Sequence, residues 1–187
     1  FNTATLGKGV RVSTVFEDNY KEEVIKSGLI FSGIYNGKNG INRLNQFIIA
    51  ENITKEANPI YGSIQKLNTR DTDITILCDD KILKVPANKD ILFQADGNPQ
   101  LTSTNAFLGT IIPYTGNYGC QNPESFADHI YRAYFVDRAR GKVLRLSNDG
   151  ITEISNYGMK NFFKDKLVVE TGVKNVYDRV RIIGAYD

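Results

Sequence analysis

Short apolar runs, broken every few positions by Gly, Asn or Asp, set the rhythm of this chain. Asp73-Ile74-Thr75-Ile76-Leu77-Cys78-Asp79-Asp80 is a β-branched run closed by acidic turn residues, and Lys81-Ile82-Leu83-Lys84-Val85-Pro86 follows at once, which predicts a hairpin. Ile91-Leu92-Phe93 offers a further short strand, closed by Asp96-Gly97. The same order returns roughly 60 residues later: Tyr131-Arg132-Ala133-Tyr134-Phe135-Val136-Asp137, a turn at residues 138–141, Lys142-Val143-Leu144-Arg145-Leu146-Ser147, and a turn at Asn148-Asp149-Gly150 into Ile151-Thr152-Glu153-Ile154. Both copies share the return strand Lys-[Ile/Val]-Leu-[Lys/Arg]-[Val/Leu]. A period of two puts Lys84 and Arg145 on one face of their strands and the aliphatic neighbours on the other.

Earlier in the chain, Asn36-Gly37 and Asn39-Gly40 are turn pairs that supply positive φ, with strands expected at residues 28–35 and 47–50. The segment 17–26 is the most charged and suits a helical turn or a solvated loop. Met159, Phe162 and Phe163 at i, i+3 and i+4 predict one short helix near 156–166 with its aromatics packed inward. The expected fold is therefore mainly β: antiparallel, β-propeller-like blades forming part of a larger fold, with repeat units near 61–97 and 125–155 in a segment spanning 28–187, after an N-terminal extension at 1–27. A β-sandwich is the alternative. Three units at this spacing are fewer than propeller closure needs. The Phe1 start and the apolar run at 182–187 fit the same expectation, of a piece of a longer polypeptide.

Composition narrows the functional classes. A formal charge of +2 from 23 basic and 21 acidic residues gives no global field to capture nucleic acid or an anionic membrane. A 41% hydrophobic content with 10 Phe and 10 Tyr suffices for a core. No run reaches the roughly 20 apolar residues of a membrane span, so a soluble chain is expected, with no membrane partner. Two cysteines, Cys78 and Cys120, give no disulfide framework, and with a single His they lack the spacing of a metal site.

Candidate chemistry is sparse. His129 has Asp128 beside it in sequence, pointing the other way in a strand, and no nucleophile motif accompanies it. Asp71/Asp73 and Asp79/Asp80 sit where turns favour Asp for local hydrogen bonding. Gly7-Lys8-Gly9 and Gly37-Lys38-Asn39-Gly40 lack the strand-then-helix context of a phosphate loop. No catalytic residue, metal ligand or cofactor is assigned. The best localised charge is Arg132, Arg138, Arg140, Lys142 and Arg145, interleaved with Tyr131, Tyr134 and Phe135. Because alternating side chains send the aromatics to the core, a protein-contacting basic edge is favoured over a nucleic-acid surface. Arg138, Arg140 and Arg145 are the candidate partner contacts, suited to charge-assisted pairing with acids.

The stretch at residues 121–159, from Gln121-Asn122-Pro123-Glu124-Ser125-Phe126-Ala127 through the second hairpin to Asn156-Tyr157-Gly158-Met159, resembles the large distal tail proteins, of the muzzle or stabilisation kind, of crAss-like bacteriophages. So do Ile41-Asn42-Arg43-Leu44-Asn45-Gln46-Phe47 and Ile64-Gln65-Lys66-Leu67-Asn68-Thr69-Arg70-Asp71-Thr72-Asp73. The likeness covers residues 28–187 and implies a virion structural protein without enzymatic activity. It further implies β-propeller-like parts and several copies around the tail axis, in contact with other tail proteins and other segments of the same polypeptide. The competing expectations are a receptor- or glycan-binding module at the tail tip and a tail-associated glycoside hydrolase.

Overall fold

The structure, a computed structural model, describes residues 24–33, 35–37, 40–47, 53–70, 72–87, 91–93, 99–101, 108–168 and 182–186. Residues 1–23, the Gly7-Lys8-Gly9 turn, Asp71, the Asp96-Gly97 turn and most of the strand expected at 47–50 lie outside that set. The strands are β1 (Gly28–Ile30), β2 (Tyr35–Asn36), β3 (Ile41–Asn42), β4 (Thr54–Glu56), β5 (Ile64–Arg70), β6 (Asp73–Cys78), β7 (Ile82–Pro86), β8 (Ile91–Phe93), β9 (Pro99–Leu101), β10 (Ile112–Pro113), β11 (Ala127–His129), β12 (Arg132–Asp137), β13 (Lys142–Ser147) and β14 (Gly150–Glu153), followed by one helix, α1 (Lys160–Val168). Every pairing among the described strands is antiparallel, so the fold is mainly β with one helix.

The chain divides into two compact units, Phe1–Pro59 with Lys89–Phe107, and Ile60–Asn88 with Leu108–Asp187. In the first, β1 pairs with β4, and β2–β3 and β8–β9 are two-stranded hairpins. Asn36 ends β2, and of the two glycines of the Asn-Gly pairs Gly40 takes a positive φ, +65°, and Gly37 does not.

The second unit holds two four-stranded sheets. Sheet I has the order β10-β7-β6-β5 and sheet II the order β11-β12-β13-β14. Sheet II is an uninterrupted meander. In sheet I the fourth strand is the short β10, and Ile91–Phe93, expected to close that unit, sits in the β8–β9 hairpin instead. The expected helix begins at Lys160, four residues late, because Gly158 at φ +88° ends a run of turns through 154–158. Its aromatics divide: Phe163 is half-buried while Phe162 is 51% exposed, the two rings packing edge-on at 5.5 Å, and Met159 before the helix is 46% exposed.

Turn registers align the two sheets residue by residue. Arg70 pairs with Asp73 across the β5–β6 turn, and His129 with Arg132 across the β11–β12 turn. Asp73 therefore corresponds to Arg132, Thr75 to Tyr134 and Leu77 to Val136. Leu77 faces Ile82 across the ladder and Val136 faces Val143, which brings Lys84 into correspondence with Arg145. Call the face carrying Thr75, Leu77, Ile82 and Lys84 the front of sheet I, and that carrying Tyr134, Val136, Val143 and Arg145 the front of sheet II. The core cluster joins Leu77 and Ile82 from the front of sheet I to Ala133, Phe135, Leu144 and Leu146 from the back of sheet II, with Cys120 and Phe126 beside them. Two equivalent sheets thus stack front to back. Leu77 is 0% and Ile82 1% exposed, while their counterparts Val136 and Val143 are only half-buried.

That asymmetry sets the cost of truncation. Leu77→Ala should lower unfolding free energy in urea by about 2–5 kcal/mol, and Val136→Ala by about 1 kcal/mol, since a half-buried Val loses less apolar contact.

Candidate interface site

The connection at residues 114–126 and the β6–β7 and β12–β13 turns converge at one end of the sheet pair, held by the carboxylates of Asp79, Asp80 and Asp137. Asp137, at the end of β12, is 0% exposed. It accepts the Gly119 amide at 3.1 Å, the Arg140 amide at 3.2 Å and the Arg140 guanidinium at 2.9 Å. Arg140 also reaches Asp80 of sheet I at 3.2 Å, so one side chain ties the two turns together. Gly119 is required there: a Cβ at that position would stand 1.8 Å from the Asp79 carbonyl oxygen. Asp79 does the equivalent work in sheet I, accepting the Ser63 amide at 2.8 Å and the Gln65 side chain at 2.7 Å. Gln121 donates to the Asp79 carbonyl and accepts the Arg138 amide at 3.0 Å.

At the other end, Arg70 of β5 donates to the Tyr131 carbonyl at 2.8 Å and to Asn148 at 2.7 Å, both in turns of sheet II. Beside it Lys84 and Asp73 form an ion pair at 2.6 Å, which holds the Lys84 ammonium above its ordinary pKa. These groups line an open cleft of about 340 Å³ with Tyr114, Ser147 and Asn148. Its charged groups are already bonded, Lys84 and Asp73 to each other and Arg70 to Tyr131 and Asn148, so an occupant would have to displace existing bonds.

A third cluster surrounds Glu153. Lys142, Tyr118 and Asn156 all donate to its carboxylate, and the Lys142 ammonium lies 5.3 Å from the Tyr118 ring. The hydrogen bonds from Lys142 and then Tyr118 hold the Glu153 carboxyl below its usual range, and the bond to Glu153 followed by burial pushes the Tyr118 phenol up to about 12. Burial, then the neighbouring Asp79, pushes the Cys78 thiol up to about 11, far from the thiolate that a nucleophile needs.

The five cations of the second hairpin therefore do not form one patch. Arg140 is committed to Asp137 and Asp80, and Lys142 to Glu153. Arg138 stands half-buried in the β12–β13 turn, while Arg132 and Arg145 share the front of sheet II; among the described residues no acid pairs with any of these three. Phe135 enters the core, whereas Tyr131 is 71% exposed in its turn and Tyr134 lies opposite Arg145 on the front. The aromatics are thus divided between core and surface. His129 stacks on Tyr186 with ring centroids 4.3 Å apart. Among the described residues no three His, Cys, Asp or Glu side chains are grouped to hold a metal ion, and no helix is long and apolar enough to cross a membrane. Sequence reasoning missed Arg70, whose acceptors belong to turns of sheet II, and Gly119, whose constraint is a backbone approach to the Asp79 carbonyl.

Removing the Arg140 guanidinium leaves a buried carboxylate short of its charge partner, so Arg140→Ala should destabilise by on the order of 3 kcal/mol in chemical denaturation. The depressed Glu153 carboxyl gives a pH signature. Its contribution is complete above the unfolded pKa of 4.5 and is lost as pH falls through the lower folded value. The melting-temperature gap between the native chain and Glu153→Gln should be constant from pH 7 to pH 5 and shrink below pH 4.5.

No protein-family model matches the chain, and no curated protein sequence matches it either.

Proposed function

We propose that this chain is a structural segment of a phage tail, a run of β-propeller-like blades whose work is to build and seal the distal tail by protein-protein contact. The observation that carries this reading is the front-to-back stacking of two equivalent four-stranded sheets. A two-layer sandwich buries only inner faces, but sheet I buries apolar side chains on both: Leu77 and Ile82 on the front, and Ile76, Leu83 and Val85, each at 1% exposure or less, on the back. Successive blades bury their sheets in this way. The tail location comes from the resemblance at residues 121–159.

On this reading the chain performs no catalysis and needs no cofactor. Its carboxylates act as structural acceptors, with Asp79 and Asp137 pinning the connections that lead from one sheet to the next. Its partners are other tail proteins and other segments of the same polypeptide, in a multi-copy assembly in the virion, with no membrane in the resting particle and no role for nucleic acid. Interfaces of this kind bury about 1,600 Å² in total, more than any single turn supplies, so several loops and a sheet face contribute.

An antibody raised against residues 121–159 should decorate the distal tail of intact particles in electron microscopy, with several copies per tail by quantitative mass spectrometry. Labelling confined to the capsid, or no signal in purified particles, would overturn the proposal. Selective glycan-array binding by the purified chain, without tail labelling, would replace it with the receptor-binding alternative.

A further inference from the structure

The front of sheet I is covered by a sheet, and the equivalent front of sheet II is not covered to the same degree. Leu77 and Ile82 are fully buried, and Val136 and Val143 at the same positions are half-buried. The two fronts also differ in charge at one decisive position. In sheet I, Asp73 on β6 and Lys84 on β7 stand diagonally across the ladder and close an ion pair at 2.6 Å. Their counterparts in sheet II are Arg132 and Arg145, two cations at the same diagonal spacing. Diagonal neighbours are within reach of long side chains, so a pairing that neutralises sheet I becomes a repulsion in sheet II. The Arg145 Nε is buried and has no hydrogen-bond partner among the described residues. A buried guanidinium nitrogen left unpaired is costly, and no acceptor among the described residues of the sheet relieves it. This front already takes a chain segment at its β11 side, where the Gly184 amide donates to the Glu124 carbonyl at 2.9 Å and Tyr186 lies on His129.

We propose that the front of sheet II seats a further four-stranded antiparallel sheet, whose back lays aliphatic side chains on Val136 and Val143 and inserts one carboxylate between Arg132 and Arg145. The occupant's chemistry follows from the stacking already present. The back of sheet II, which covers sheet I, is Ala133, Phe135, Leu144 and Leu146, so an apolar back of this type fits the aliphatic half of the front. The carboxylate supplies what Asp73 supplies in sheet I. The inference rests on the blade reading but not on a tail location.

The test places a photo-crosslinking amino acid at Val143, and separately at Val136, in the full chain as it is made in its native assembly, and identifies the captured peptide by mass spectrometry. Both positions should capture one strand of alternating aliphatic residues that contains an Asp or Glu. Arg145→Glu should lower the yield at least tenfold, Arg145→Lys should preserve it, and changing the captured acid to Lys should restore capture by Arg145→Glu. Melting temperatures of the variants, measured alongside, separate this loss from unfolding. Capture of this chain's own residues 154–187, capture of a peptide without an acid, or no capture at either position would each overturn the inference. Such a result together with antibody labelling of the distal tail would leave the proposed function standing. Capture as expected without tail labelling would do the reverse.

Discussion

Leu77 and Ile82 cannot be buried by the sheet that carries them. They project from its front, and the four apolar side chains that exclude water from them belong to strands about 60 residues further along the chain. Much else in the second unit serves this one demand. The Asp137 carboxylate, at the end of the strand that brings Phe135 into the core, fixes the Gly119 backbone and so brings the connecting segment down against the preceding turn. Arg140 fastens the same corner from the other side, and Arg70 holds the opposite end through the Tyr131 carbonyl. Apolar burial supplies the driving force between the sheets, and charge-assisted hydrogen bonds at the two ends set the alignment.

This division of labour explains where the charges went. A basic hairpin carrying five cations resembles a contact surface when written as a string. Folded, two of the five are internal fasteners, one stands in a turn and two face the same way from one sheet. Surface ion pairs contribute little to stability in general, but Arg140 bonds a carboxylate with no access to water, which makes it part of the framework.

Much of the architecture was legible in the sequence because period-two alternation and Asn/Asp/Gly turns are local signals. Both hairpins, the burial of Cys78 and the correspondence of Lys84 with Arg145 could be read from one template repeated at a fixed distance. What escaped has physical reasons of its own. The fourth strand of sheet I is only Ile112–Pro113, too short to carry any period. The helix register failed because Gly158 in a left-handed conformation ends a turn that the apolar spacing ignores. The aromatics were sent to the core on alternation alone, and alternation says which residues share a face without saying which face is dry; Tyr134 sits on the wetter one. Asp80 with Arg140, and Arg70 with Asn148, join residues 60 and 78 positions apart, and nothing in either local string announces them.

The long connection between β7 and β10 separates the two sheets in another respect. Sheet II closes its ladder through turns of two to four residues, so each strand meets its partner soon after it is made. Sheet I has to bring β10 back to β7 across residues 87–111. Closing a loop of that length costs about 2 kcal/mol more chain entropy than closing a two-residue turn. Local closure is also fast, in the microsecond range for a hairpin. The turns between β5, β6 and β7 are as short as those of sheet II, so the added closure cost falls on β10 alone, and the edge strand of sheet I is the one element of the two sheets that local closure does not place.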